Sequence, residues 1–281
     1  MDKPLCGFIG QGFIGKNYAD DFEERGYEVI RYDVDKYKDN KVLIKTCDIV
    51  FLCVPTPSTP NGFDYSIVEE VLGLVGKDKI AVIKSTVLPG TTNRLQDKFP
   101  DIYLMHSPEF LTEVTAKQDA QKPDRNIIGY TEKSQCRTAD VINVLPIASY
   151  EKAIPVQEAE MIKYAGNCWF YFKVMFVNLL YNASTEMGLD YNIIKDGMSA
   201  DKRIGRTHLD AMHKSGRGAG GHCFVKDMSA FAEMYKEFCP EDKKGNELLK
   251  VIQEKNVELL VNSGKDIDLL KGVYGESYEV K

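Results

Sequence analysis

The stretch Leu5–Gly15, LCGFIGQGFIG, decides the fold class. A short apolar run leads into Gly10-Gln11-Gly12-Phe13-Ile14-Gly15, a G-x-G-x-x-G placed where a strand meets a helix. The next segment, KNYADDFEERG, has a helical pattern and closes at Gly26, and a second strand, EVIRYD, ends at Asp33. Glycines there let the backbone approach a pyrophosphate, and the helix start offers N–H groups and a positive dipole end. An acid at the end of the second strand meets ribose hydroxyls and repels a 2′-phosphate, which favours NAD over NADP. G-x-G-x-x-G alone is a common tight turn; strand, turn, helix, strand and acid in this order are far more specific.

Working outward, further strand-like runs begin at Ile49 (IVFLCV), Lys79 (KIAVIKST), Ile102 (IYLMHS) and Asn126 (NIIGY). Helical or loop segments separate them. Such alternation predicts an α/β fold with a doubly wound parallel sheet, a Rossmann domain. Ligands of such sheets sit at the carboxyl ends of the strands, where this chain places Thr56, Thr86, Glu109 and Glu113. The Pro-rich loop VPTPSTPNG closes one of those ends. Thr86 could equally be a helix cap, and Glu109 a solvated loop carboxylate.

The alternation stops near Leu145, so two domains are expected: 1–148, the NAD-binding unit, and 149–281, an all-helical dimerisation domain. From Val156 to about Met187 the pattern is helical throughout and apolar nearly all round. Tyr164, Trp169, Phe170, Tyr171, Phe172 and Phe176 spread over every side, which predicts a homodimer through this helix. Lys163 and Asn167 share one of its faces and need a reason to be there, unless Lys163 snorkels to water. Further on lies GRGAGGHCFVKD, Gly216–Asp227. Gly218, Gly220 and Gly221 would let a substrate approach the backbone. Cys223 on a first helical turn would favour the thiolate and share a face with Asp227. Two amphipathic helices follow, and from Lys265 the chain reads as a short polar tail.

Composition narrows the function. The chain has 281 residues, 43% hydrophobic and 28% charged, with a net charge of -6, which argues against nucleic acid as partner. Its most apolar run, from Cys168, is too short to span a bilayer and is interrupted by Lys173 and Asn178. No secretory pattern opens the sequence. Seven cysteines without CxxC spacing predict a reducing, cytoplasmic setting, and only four histidines make a His-based metal site improbable.

With these motifs on the page, the chain resembles the UDP-glucose/GDP-mannose dehydrogenase family from its N-terminus to about Val261. FIGQGFIG, VFLCVPTP, KSTVLPGTT, SPEFLTE, AEMIKYAGN, RIG and GAGGHCFVKD occur in family order. The resemblance implies two-step oxidation of a nucleotide sugar's primary alcohol to a carboxylate with two NAD, UDP-glucose to UDP-glucuronate being the leading case. It implies Cys223 as the nucleophile, forming a thiohemiacetal and then a thioester. Lys163 and Asn167 would stabilise the oxyanion, Glu109 would activate the hydrolytic water, and Thr86 and Asp227 would hold the water and proton chain. Gly10–Gly15, Asp33, Val54, Pro55, Thr56 and Thr86 would bind cofactor. Glu109, Phe110, Leu111, Glu113, Lys163, Asn167, Lys214, Gly218, Gly220 and Gly221 would contact substrate, with Arg203 reaching the sugar on a partner subunit. GGHC is closer to the N-acetylhexosamine branch, CFVKD to the UDP-glucose branch. The segment after Asp33 is shorter than the family's. By the same comparison this is a short form lacking the C-terminal nucleotide-binding domain, and a second chain could supply it. Two alternatives remain: a dehydrogenase of a smaller hydroxy acid, and a non-catalytic NAD-binding protein derived from the family.

Overall fold

A computed structural model describes residues 3–275. The chain forms two compact units: Met1–Thr56 with Asp64–Lys163, and Pro57–Phe63 with Tyr164–Lys281.

The first unit begins with β1 (Cys6–Ile9), α1 (Phe13–Glu24), β2 (Val29–Tyr32) and β3 (Ile49–Leu52). A hairpin of β4 (Ser58–Thr59) and β5 (Gly62–Phe63) leaves for the second unit. The first unit resumes with α2 (Ser66–Leu72), β6 (Ile80–Ile83), α3 (Thr91–Lys98), β7 (Tyr103–His106) and α4 (Ala116–Gln121). It closes with β8 (Arg125–Tyr130), α5 (Thr138–Ile142), β9 (Tyr150–Pro155) and the start of α6 (Val156–Glu186). Among the described residues the sheet runs β2-β1-β3-β6-β7-β8-β9. β1 lies between β2 and β3, so the strand order reverses beside the Gly10 turn and opens a crevice there.

All six strands read from the sequence are present; β1, β3 and β6 are apolar runs buried along their whole length, while β2, at the sheet edge, is only half-buried. Phe8 stacks on Phe51 with centroids 4.8 Å apart, and Phe22 of α1 meets Phe8 edge-on at 5.1 Å. Each such ring contributes roughly 1.5–3 kcal/mol by leaving water. Two expectations change. The sheet is not wholly parallel, because β8 runs antiparallel to β7. It also does not end near Leu145: β9 pairs parallel with β8, so the expected boundary at 148/149 falls before a strand that still belongs to the sheet. YEKAIP has no apolar run to betray it, because an edge strand with one neighbour stays largely exposed. Pro155 is tolerated at its end for the same reason.

The second unit takes α6 onward from Tyr164 and adds α7 (Tyr191–Ser199), β10 (Met212–His213), β11 (Gly216–Arg217), α8 (Gly221–Phe238), α9 (Lys243–Ser263) and α10 (Ile267–Tyr274). It is helical apart from two short hairpins. One core packs Cys168, Tyr171 and Met175 of α6 against Met228 of α8 and Leu249 and Leu259 of α9. The Pro-rich loop is not merely a stiff closure of β3: Ser58 Oγ donates to the Lys226 carbonyl of α8 at 3.1 Å. The expected tail is not a tail either. Lys265 is 5% exposed and α10 buries Leu270 and Val273 against Val225 and Leu260. Among the described residues no helix is long and apolar enough to cross a membrane, and no cluster of His, Cys, Asp or Glu could hold a metal.

Candidate active site

In the first unit the Gly10–Gly15 turn has the form its residues demand. Gly10 takes φ +87, and a Cβ there would lie 2.4 Å from the Cys53 carbonyl oxygen. A Cβ on Gly15 would sit 1.9 Å from the Gly10 oxygen, so both glycines serve the fold. Gly12 differs: nothing lies within 4 Å of its missing Cβ, and as N-cap of α1 it leaves the helix start without a side-chain cap. Asp33, just past β2, accepts from the backbone N–H of Gln11 at 2.7 Å and of Asp35 at 3.0 Å. Phe13 is exposed and Ile14 half-buried.

The carboxyl ends of the next strands converge. After β3, Val54 and Thr56 are buried and Pro55 exposed; the Thr56 hydroxyl donates to the Thr86 carbonyl at 2.7 Å. Thr86 is no helix cap, because Gly90 caps α3. After β7, Glu109 is buried and not solvated. Lys163 of α6 donates to Glu109 Oε1 and to its backbone oxygen, both at 2.8 Å, and Glu109 Oε2 accepts from the Leu111 N–H at 2.8 Å. Lys163 therefore does not snorkel; its side chain is 7% exposed. Phe110 lies beneath the Arg125 guanidinium at 3.7 Å, and Glu113 is exposed.

Sequence reasoning missed two buried charges here. Lys84, after β6, is 3% exposed; it donates to Ser107 Oγ at 3.1 Å and lies 4.3 Å from the Tyr18 ring centroid. Burial pushes its pKa down to about 8. Glu160 on α6 is fully buried and caps α3: its carboxylate accepts from Gly90 N at 2.6 Å, Thr92 N at 2.8 Å and Thr92 Oγ1 at 2.6 Å. Burial lifts its pKa to about 7 against the pull of those donors. Both lie inside KSTVLPGTT and AEMIKYAGN, but their burial could not be read from spacing.

In the second unit α8 starts at Gly221, which places Cys223 on its first turn, exposed, with Asp227 one turn later on the same helix. Asp227 is 1% exposed; Asn167 of α6 donates to its Oδ2 at 2.5 Å, and Lys226 pairs with its Oδ1. Asn167 lies one turn beyond Lys163 on α6, as the spacing predicts. At two of the glycines the chain itself crowds the missing side chain. A Cβ on Gly218 would meet Asn256 Oδ1 at 3.0 Å, and one on Gly220 would meet Asp266 Oδ2 at 2.0 Å. Those two make room for the chain itself, and only Gly221, at φ +79, faces open space. Lys214, at φ 53, occupies the exposed tip between β10 and β11. Arg203 is exposed and pairs with Asp201 beside it at 2.6 Å, so within the chain it joins neither cluster.

Two family models match this chain: the NAD binding domain of the UDP-glucose/GDP-mannose dehydrogenase family over residues 37–144, and its central domain over 157–257. The chain belongs to the UDP-glucose/GDP-mannose dehydrogenase family. The UDP-glucose 6-dehydrogenase of Rickettsia bellii is 30% identical over 79% of this chain and 50% of its own. The chain spans about half, or less, of the curated relatives it first matches. A UDP-glucose dehydrogenase from Pyrobaculum islandicum superposes at TM-score 0.77 with 26% identity, covering 93% of this chain and 71% of that one. A UDP-D-ManNAc dehydrogenase from Pyrococcus horikoshii gives 0.74 at 20% identity, covering 92% and 70%. The 3-hydroxyisobutyrate dehydrogenase of Mycobacterium tuberculosis gives 0.70, covering 97% and 99%; at 11% identity this shows the fold alone. NAD is the cofactor of this family's first domain, and the residues present fit it. Gly12 leaves open space before an uncapped helix, where a pyrophosphate sits, and the Asp33 carboxylate stands beside it for ribose hydroxyls.

Proposed function

We propose that the chain is a nucleotide-sugar 6-dehydrogenase that oxidises a primary alcohol to a carboxylate in two steps, with UDP-glucose as the leading substrate. The observation that carries this is the exposed thiol of Cys223 on the first turn of α8, with Asp227, held by Asn167, one turn further along the same helix. A hydroxy-acid dehydrogenase has no use for such a thiol.

NAD supplies the hydride acceptor for each oxidation. The Lys163 ammonium and the Asn167 amide stabilise the alkoxide that develops on the substrate oxygen. The Cys223 thiolate adds to the aldehyde carbon to form a thiohemiacetal, and loss of a second hydride leaves a thioester on sulfur. Water then attacks the thioester carbon, its proton passes to Glu109, and the thiol departs as the carboxylate forms. Lys163 holds the Glu109 carboxylate in place for this through its 2.8 Å contact with Oε1. Thr86 and Asp227 hold the water, Glu113, Lys214 and Gly221 contact the sugar, and Arg203 reaches the sugar of a partner subunit. The partner is a second copy docked on α6, where Trp169 is 67% and Phe176 58% exposed. Sedimentation at micromolar concentration should show a dimer, and a stable monomer would remove that surface's explanation. For the chemistry, Cys223→Ser is expected to abolish acid formation while NAD still binds. Mass spectrometry after one turnover should find a thioester on Cys223, and full activity in the Ser variant would sink the mechanism.

A further inference from the structure

The turn that carries Cys223 is held from behind by residues no motif contains. Lys265 Nζ donates to the carbonyl oxygens of Gly218 at 3.0 Å and Gly216 at 3.5 Å. Ser263 Oγ accepts from Arg217 N at 3.0 Å. Asn256 accepts from Ala219 N at 2.7 Å and donates to Ala219 O at 2.9 Å, as a neighbouring strand would. Asp266 Oδ2 accepts from Gly221 N at 2.8 Å. Gly221 is the first residue of α8, so this last bond sets where the helix begins. The approach is too close for any side chain at Gly220.

The chain bends sharply to make these contacts. Gly264 ends α9 at φ 62, and Asp266, a non-glycine residue, follows in the left-handed region at φ 55. Lys265 between them is buried against the carbonyls it serves, and burial lowers its pKa. A buried ammonium and a left-handed aspartate are both unfavourable by themselves, and both are directed at the six-residue stretch Gly216–Gly221.

We infer that Asp266, with Lys265 beside it, is a positioning residue for Cys223: it fixes the start of α8 and thereby the direction of the thiol. This rests on the reading of Cys223 as nucleophile. The sulfur must meet the same carbon through addition, oxidation and hydrolysis, and a displacement of about 1 Å can lower such a rate roughly 100-fold.

The test uses the full chain. Asp266→Ala, which removes the acceptor for Gly221 N, should lower kcat with UDP-glucose by about 10- to 100-fold. The KM for NAD should not move. Asp266→Asn keeps an acceptor oxygen and should recover kcat to within about 3-fold, a rescue that loss of general stability would not show. Iodoacetamide alkylation, followed peptide by peptide, reads the thiol without turnover. Ala at 266 should change the Cys223 rate several-fold and leave that of exposed Cys136 unchanged, and Asn should restore it. Wild-type kcat and Cys223 alkylation in the Ala variant would overturn the proposal, as would equal impairment by Ala and Asn. Should Cys223→Ser remain fully active, the nucleophile reading fails, while the alkylation data still judge the clamp.

Discussion

The Glu109–Lys163 pair and the Cys223 turn are built on opposite plans. The first is closed: two charges, each with a side chain 7% exposed, satisfy one another and the backbone around them. The second has an exposed thiol, and Asn256, Lys265 and Asp266 bond the backbone of the turn that carries it. A buried charge without its partner is expensive, so its chemistry and its stability are one matter. The bonds from Asn256, Lys265 and Asp266 run to backbone atoms of the turn, so they do not depend on the Cys223 side chain. Substitutions in the Glu109–Lys163 pair should therefore trade activity against stability, and substitutions of Cys223 should not.

The sharpest way to break that contrast is Lys163→Met, which strands the Glu109 carboxylate in the interior. It is expected to destabilise the protein by about 3–5 kcal/mol, and the added change Glu109→Gln should recover most of that. Chemical denaturation of the single and double variants measures it. A single variant as stable as wild type would mean the pair is not closed in solution.

Glu160 sharpens the same side through pH. Its folded pKa of about 7 exceeds the ordinary 4.5, so the folded state binds more protons between those values. By linkage, stability from this group is fullest below about 4.5 and falls as pH rises to about 7, by at most roughly 3 kcal/mol. Glu160→Gln should flatten that part of the stability–pH curve. Identical slopes in variant and wild type would show that the three donors, not burial, govern the carboxylate.

The smallest effect is expected at the exposed thiol. Cys223→Ser should shift the unfolding free energy by less than about 0.5 kcal/mol, as exposed substitutions do. Its effect on acid formation should nonetheless be complete. A large loss of stability would mean that the thiol belongs to the turn's packing, and the contrast would collapse.

Legibility in the sequence followed the same division. The Gly10–Gly15 turn, Asp33, α6 with Lys163 and Asn167, and Cys223 at a helix start were all readable, because each depends on residues close in sequence. β9 escaped notice because an edge strand needs no apolar run. Lys84 and Glu160 escaped because burial of a charge depends on what packs over it. The need for glycine at Gly218 and Gly220 was visible, but not that Asn256 and Asp266 crowd the space where a Cβ would sit.

The sequence by itself determined the family, the NAD-binding fold and the chemical types at each strand end. Local rules govern these: the period of apolar residues, the glycines a tight turn requires, and spacing along one helix. Tertiary structure alone decided that Lys163 finds Glu109, that Glu160 caps α3, and that a supposed polar tail returns to hold the Cys223 turn. The physical reason is that an unpaired polar group in the interior costs more than chain entropy saves. Its partner is then chosen by whatever the folded backbone brings within about 3 Å, at any distance along the sequence.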